Sequence, residues 1–114
     1  MLEEILYNFL NNGVDLDAPT YTMIPQDPPE EFYVFEITGS SSIDHINSST
    51  IAIRSHAQSL KRAADLAYDV DNAMMYALGR LDHICGVRRN SIFNFTDQDT
   101  RTYRYQAVYV ITHY

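Results

Sequence analysis

The chain has 114 residues and a formal net charge of −7, with four histidines and one cysteine. A chain of this length can bury a core without disulfides or metal, so we expect a single domain over residues 1–114. A single cysteine excludes an internal disulfide, and we expect Cys85 to be a small buried hydrophobic residue. The negative net charge argues against a dedicated nucleic-acid-binding protein.

The first predicted element is a short amphipathic helix over residues 1–12. Its apolar residues recur at helical spacing: Leu2, Ile5, Leu6, Phe9 and Leu10. Glu3 and Glu4 stand where a secretory signal peptide carries positive charge, and no apolar run is long enough to cross a membrane. We therefore expect a soluble protein that is made in the cytoplasm and contacts no membrane.

The next segment approaches and enters the sheet. Residues 14–31 contain all four prolines and one strand-like stretch, residues 20–24, which predicts an irregular connector with a short edge strand. Residues 32–38 are apolar on both faces apart from Glu36. This pattern predicts a central strand that is covered on each side.

A serine-rich stretch follows this strand. Residues 40–49 contain five serines together with other turn-forming residues. We expect a protruding hairpin loop with Ile43 or Ile46 as its one buried anchor. The loop residues are Ser40, Ser41, Ser42, Ile43, His45 and Ile46. Residues 50–57 then form a strand with one buried face, on which Ile51 and Ile53 lie.

The second half of the chain predicts one long helix and a terminal hairpin. The helix covers residues 58–81, with an apolar stripe made by Leu60, Ala63, Ala64, Ala67, Val70, Met74, Ala77, Leu78 and Leu81. Residues 84–95 and 101–113 form two strands joined by a polar turn. The fold class is therefore α+β, with a single antiparallel or mixed sheet of four to five strands, an N-terminal helix and one long helix packed on the sheet.

The sequence offers little catalytic equipment. Asp44 and His45 lie among serines, but no nucleophile elbow accompanies them. The histidines lack metal-binding spacing, and Asp97 and Asp99 fit a solvated turn better than a metal site. The sequence contains no glycine-rich loop of the kind that holds a phosphate. We expect no enzyme activity, no catalytic, cofactor-binding or metal-binding residues and no cofactor.

The charge is divided unevenly between the two halves of the chain. Residues 1–53 hold nine of the fifteen acids and no lysine or arginine, whereas all eight basic residues lie in residues 54–114. Such a division suits a head-to-tail contact between copies, although solvated loops could also collect acids by chance. Tyrosine beside arginine is enriched at protein interfaces and also occurs on RNA-stacking sheets; the missing RNA-binding fingerprint favours the interface. Any single tyrosine could equally well cover the sheet beneath a helix. The candidate interface residues are Glu30, Glu31, Asp44, Arg88, Arg89, Arg101, Arg104, Tyr103 and Tyr105.

The order of elements resembles the tail terminator and tail-completion proteins of long-tailed bacteriophages, including minor capsid proteins of phages of Gram-positive hosts. The segments that carry the resemblance are MLEEILYNFL, MIPQDPPEEFYVFEI, TIAIRSHAQSLKRAADLAYDVDNAM and RTYRYQAVYVITHY, which span nearly the whole chain. The resemblance implies a virion protein at the head-tail interface that forms a ring, usually a hexamer. The ring would end growth of the tail tube and bind the tube protein and the head's connector.

Two alternatives to a tail terminator remain. A head-side connector or stopper also forms rings, and DNA would pass through either ring without specific binding. A small dimeric α+β ligand-binding domain, with His45 or His56 in a pocket, is an alternative of another class.

Overall fold

A computed structural model describes residues 2–97 and 103–114. Its elements follow the order α, β, β, β, α, β, β. They are α1 (Leu2–Asn8), a π-helical turn (Phe9–Gly13), β1 (Thr20–Tyr21), β2 (Phe32–Ile43), β3 (Ile46–Ala57), α2 (Leu60–Tyr76), a 3₁₀ turn (Leu78–Arg80), β4 (Ile84–Asn94) and β5 (Tyr103–His113).

The five strands form one mixed sheet in the order β1-β2-β3-β5-β4. β1 pairs in parallel with β2, and the other neighbours are antiparallel. This arrangement confirms the predicted α+β fold with its N-terminal helix, long helix and short edge strand. The centre of the sheet is β3 rather than β2, because β5 returns to pair with β3 before β4 is added at the edge.

Both helices pack on one face of the sheet, which we call the helical face. The buried side chains between the layers form one core, to which the sheet contributes Tyr33, Phe35, Ile51, Ile53, Ala107, Tyr109 and Ile111. The helices contribute Leu2, Leu6, Phe9, Leu10, Leu66, Val70, Met74 and Leu78. The alternation of strand side chains sends the intervening residues to the opposite face, which we call the open face.

Helix α2 is shorter than predicted, because Ser59 caps it at one end and a 3₁₀ turn follows it at the other. The Ser59 side chain accepts a hydrogen bond from the Arg62 backbone N–H at 3.2 Å. Leu60 is exposed, so its predicted place in the apolar stripe is wrong, whereas the buried Leu66 was missed. Leu60 lies in the first turn of the helix, at the edge of the side that faces the sheet.

The serine-rich stretch forms regular strands instead of the predicted loop. β2 and β3 pair as far as Ile43 and Ile46, and only Asp44 and His45 form the turn. We call the projecting residues 43–46 the arm tip. Ile43 is 74% exposed and Ile46 44%, so the predicted buried anchor is also wrong.

The pairing of these strands with β5 explains why the serines are ordered. β3 continues to pair with β5 as far as Asn47 and His113. On the helical face the buried Ser49 hydroxyl lies 2.9 Å from His113 Nε2 and 3.1 Å from the Ser40 hydroxyl. Backbone pairing and this side-chain network therefore override the turn-forming tendency of serine.

Cys85 is exposed, and the prediction that it is buried is wrong. The register between the edge strand β4 and β5 shifts between Ile84 and Gly86, where Cys85 is the extra residue. Of the polar turn predicted at residues 96–100, residues 98–100 lie outside the described residues, as does the candidate interface residue Arg101.

Candidate interaction surfaces

The open face is the largest surface of the sheet that the helices leave uncovered. Within the described parts of the chain, no helix packs on this face. By register it carries the buried Val34 and Ala52 and, beside them, Arg54, Arg88, Phe93, Arg104, Val108 and Val110. Phe93 and Phe95 are 40% and 37% exposed, which is unusual for side chains of this size on a sheet.

Two of the open-face arginines are held by neighbours of their own chain. Arg54 donates hydrogen bonds to Glu36 Oε1 at 2.7 Å and to Gln106 Oε1 at 2.9 Å. Arg104 donates to the Phe95 carbonyl at 2.8 Å, and its guanidinium carbon lies 4.8 Å from the centre of the Phe95 ring. These contacts with β2, β5 and the residue after β4 hold the guanidinium groups of Arg54 and Arg104 in fixed positions on the open face.

Arg88 and Arg89 are adjacent in sequence but differ in their surroundings. Arg88 is exposed on the open face and forms no ion pair with any residue that the structure describes. Arg89 points to the helical face, where Nη1 donates to the buried Asp71 Oδ2 at 2.7 Å. The structure therefore leaves Arg88 available for an intermolecular contact and commits Arg89 within its own chain.

The acidic candidate interface residues also divide into one that is paired within its own chain and two that are exposed. Arg62 donates two hydrogen bonds to Glu31, at 2.6 and 2.8 Å, which ties the proline-rich connector to α2. The Arg62 guanidinium holds the pKa of Glu31 below its usual range. Glu30 and Asp44 are exposed. Both remain candidates for a contact with another molecule.

The predicted tyrosine and arginine surface is divided between two faces. Tyr103 and Tyr105 are half-buried on the helical face by register, whereas Arg104 lies on the open face. The aromatic rings beside Arg104 are instead Phe93 and Phe95, which the sequence analysis did not select. The sequence does carry one sign of this division: the alternation of β5 places Arg104 on the opposite face from Tyr103 and Tyr105.

The outer surface of the helical layer is acidic and partly aromatic. Asp65 and Asp69 lie on α2, where Lys61 forms an ion pair with Asp65 at 3.0 Å, and Tyr68 and Tyr76 are 53% and 74% exposed on the same helix. Burial and the nearby Asp17 and Asp65 raise the pKa of Asp69. Burial is the larger cause of the raised pKa, and the two carboxylates add to it.

A second feature of the open face is a pocket beside His56. The His56 ring stacks on Phe32 with 4.4 Å between ring centres, and its buried Nε2 has no hydrogen-bond partner among the residues that the structure describes. Burial, helped by Arg104 and Arg54, lowers the pKa of His56 to about 4, so the ring is neutral at pH 7. The adjoining pocket has a volume of about 490 Å³, and the connector forms part of its wall.

The other histidines do not join His56. His45 lies in the hairpin turn, His83 is exposed, and His113 is bound to Ser49. Over residues 2–97 and 103–114, no three His, Cys, Asp or Glu side chains converge on a position that could hold a metal ion. None of the helices in this part of the chain is long and apolar enough to cross a membrane.

A groove in the helical layer is the largest described cavity, with a volume of about 700 Å³. We call it the end groove. Its walls come from α1 and the π-helical turn on one side and from the chain between α2 and β4 on the other: Ile5, Asn8, Phe9, Asn12, Gly13, Ala77, Arg80, Leu81, Asp82 and His83. Gly13 packs so closely on Phe9 that a Cβ there would lie 3.3 Å from the ring. The sequence alone does not indicate this site, because its two walls lie far apart in the chain.

The fold and these surfaces define a small α+β sheet domain that has one helical face and one open face. A comparison with protein-family models finds no family that matches the chain, and a comparison with curated proteins finds no significant match.

Proposed function

We propose that the chain is the subunit of a homo-oligomeric ring, with six copies expected, that caps the tail tube of a long-tailed bacteriophage. In this role it ends tube growth and presents the surface to which the head's connector binds. The observation that carries the proposal is the opposite charge of the two faces of one subunit. The open face presents Arg88 with exposed phenylalanines, and the helical layer presents Asp69 together with Asp65, whose charge is partly offset by an ion pair with Lys61 at 3.0 Å.

Opposite charges on opposite faces favour a heterologous contact, in which one surface of a copy binds a different surface of the next. Such contacts generate a ring when the rotation between copies closes. Exposed aromatic side chains on both faces supply the apolar area that charge alone does not. The net charge of −7 suits a ring through which DNA passes, because an acidic lumen repels phosphate.

Native mass in solution tests the proposal directly. Light scattering after size exclusion is expected to show a species near six subunits at low salt. At high salt a shift toward monomer is expected, because screening weakens contacts between exposed charges. Negative-stain images of the large species are expected to show closed rings with a central opening. A protein that stays monomeric at all salt concentrations would contradict the proposal.

The head-side connector differs from the terminator only in its place in the virion. Purified rings mixed with the tail tubes of the phage that encodes the chain are expected to bind tube ends and stop elongation. Binding to DNA-filled heads but not to tubes would favour the connector.

The His56 pocket favours the ligand-binding domain as a second candidate function. An unpartnered imidazole nitrogen beside a cavity of about 490 Å³ could recognise a small polar molecule. This candidate predicts a dimer whose mass does not change with salt. It also predicts that His56→Gln removes small-molecule binding, detected by ligand-induced thermal stabilisation of the wild-type protein alone.

A further inference from the structure

The arm tip and the end groove are two unpartnered apolar features of the same chain. In the tip, Ile43 and Ile46 pair directly across the turn and remain 74% and 44% exposed. Side chains of this kind are normally buried, and an exposed pair at a projecting hairpin end marks an interaction site. Ile5, Leu81 and the Phe9 ring give the end groove an apolar wall that no described residue of the same chain occupies.

The tip and the groove lie at the same end of the molecule. Asn47, next to the tip, pairs with His113 at the end of β5. The following residue, Tyr114, donates its backbone N–H to the carbonyl of His83, a groove residue, at 3.1 Å. A short path of backbone contacts therefore joins the tip to the rim of the groove.

The two features face opposite sides of the sheet. β3 keeps an unbroken register from Ile46 to His56, so Ile46 lies on the open face with Arg54, and its partner Ile43 shares that face. The groove belongs to the helical layer. When the open face of one copy lies on the helical layer of the next, with the arms of both copies at the same end, the tip of the first copy comes over the groove of the second.

We propose that the arm tip of one copy inserts into the end groove of a second copy, with Ile43 and Ile46 against the apolar wall. The charges fit this occupant: Asp44 lies between the two isoleucines, and Arg80 at the rim is exposed and forms no ion pair with the described residues. Asp82 also lies at the rim and repels Asp44, so the attraction at this site comes from Arg80. This contact rests on the proposed self-assembly and identifies the surfaces that perform it.

Mutagenesis of the tip gives the first test. Ile43→Ser/Ile46→Ser is expected to weaken self-association about tenfold or more, because two apolar side chains lose their burial. Met23→Ser is the control, since Met23 is 74% exposed in the connector and lines neither the end groove nor the His56 pocket. Asp44→Arg and Arg80→Asp are each expected to weaken association, and combining them is expected to restore part of it.

Cysteine crosslinking between two different variants identifies the contact itself. Cys85 is exposed and must first be replaced by serine. Ile43→Cys and Leu81→Cys are then purified separately in this background, mixed and oxidised. A disulfide-linked heterodimer is expected, at a yield well above that of Ile24→Cys mixed with Leu81→Cys.

The possible outcomes separate the inference from the proposed function. If the mixture self-associates normally but gives no heterodimer above the control, the proposed contact between tip and groove is wrong, whereas the proposed ring is unaffected. If wild-type protein does not self-associate, both are wrong. Tip variants that assemble as well as wild type would also overturn the contact.

Discussion

Arg89 on β4 donates a 2.7 Å hydrogen bond to the buried carboxylate of Asp71 on α2. The second oxygen of the same carboxylate accepts a hydrogen bond from the Tyr109 hydroxyl at 2.8 Å. One aspartate thus joins the helix to two strands of the sheet. Arg89, which the sequence selects as a candidate for an intermolecular contact, therefore forms an ion pair within its own subunit, although 44% of its side chain remains exposed.

The contrast between Arg88 and Arg89 gives the first prediction. Arg89→Ala is expected to lower the free energy of unfolding by about 1–3 kcal/mol, because it leaves a buried carboxylate oxygen without its partner. Arg88→Ala is expected to change the free energy of unfolding by less than about 0.5 kcal/mol. Arg88→Glu is expected to weaken self-association. Urea unfolding and light scattering measure the two effects, and equal unfolding curves for the two alanine variants would contradict this assignment.

Two buried tyrosines predict a loss of stability in alkali. Tyr33 donates to the Leu66 carbonyl at 2.7 Å and Tyr109 to Asp71, and burial raises the pKa of both phenols. The unfolded chain loses these protons from about pH 10, whereas the folded chain keeps them. Stability is therefore complete below about pH 10 and falls above it, by up to about 1.4 kcal/mol per pH unit for each tyrosine.

Substitution of these tyrosines tests the cause. Tyr33→Phe/Tyr109→Phe is expected to be less stable at pH 7 by about 1 kcal/mol or more, because two buried hydrogen bonds are lost. Its stability is also expected to fall less steeply above pH 10. The control Tyr68→Phe removes an exposed hydroxyl and is expected to behave as wild type. An unchanged alkaline slope in the double variant would exclude the two phenols as its source.

His56 predicts a loss of stability in acid. Its pKa is lowered to about 4 by burial, Arg104 and Arg54, so the folded state favours the neutral ring. The unfolded chain binds a proton near pH 6.5, and stability therefore falls as the pH drops from about 6.5 toward 4, by roughly 3 kcal/mol in total.

The acid effect is isolated by comparing variants across this pH range. His56→Gln cannot titrate, so the difference in unfolding free energy between wild type and this variant is expected to shrink as the pH falls. His83→Gln removes an exposed imidazole and serves as the control. A difference between wild type and His56→Gln that stays constant from pH 7 to pH 4 would show that His56 does not titrate as described.

The hairpin turn predicts a stabilising substitution. Asp44 and His45 have φ of 52° and 68°, the left-handed region that is costly for histidine and free for glycine. His45→Gly is expected to raise the free energy of unfolding by about 0.5–1 kcal/mol, because this two-residue turn favours glycine. Ser41→Gly, on the strand of the same hairpin, is expected to destabilise by a similar amount. Thermal unfolding distinguishes the two, and a destabilised His45→Gly would contradict the turn geometry.

The sequence by itself determined the fold class, because apolar periodicity identifies elements locally. The stripe of α2, the alternation of β5 and the short edge strand were all readable in this way, since each depends on neighbours a few residues apart. The serine run was misread for the same local reason: five serines favour turns until β5 supplies backbone partners along Asn47 to Ser49. Register with a distant strand cannot be read from composition.

Only the tertiary structure decided which charged and apolar residues are available to another molecule. Arg88 and Arg89 are neighbours of the same residue type, so the sequence does not distinguish them. The pleat of β4 directs Arg88 to solvent and Arg89 to Asp71. Ile43 and Ile46 are exposed because the arm extends past the end of β5, and the end groove exists because α1 and the chain after α2 meet at one end of the sheet. Burial depends on contacts between residues far apart in the chain, so it is fixed only when the chain has folded.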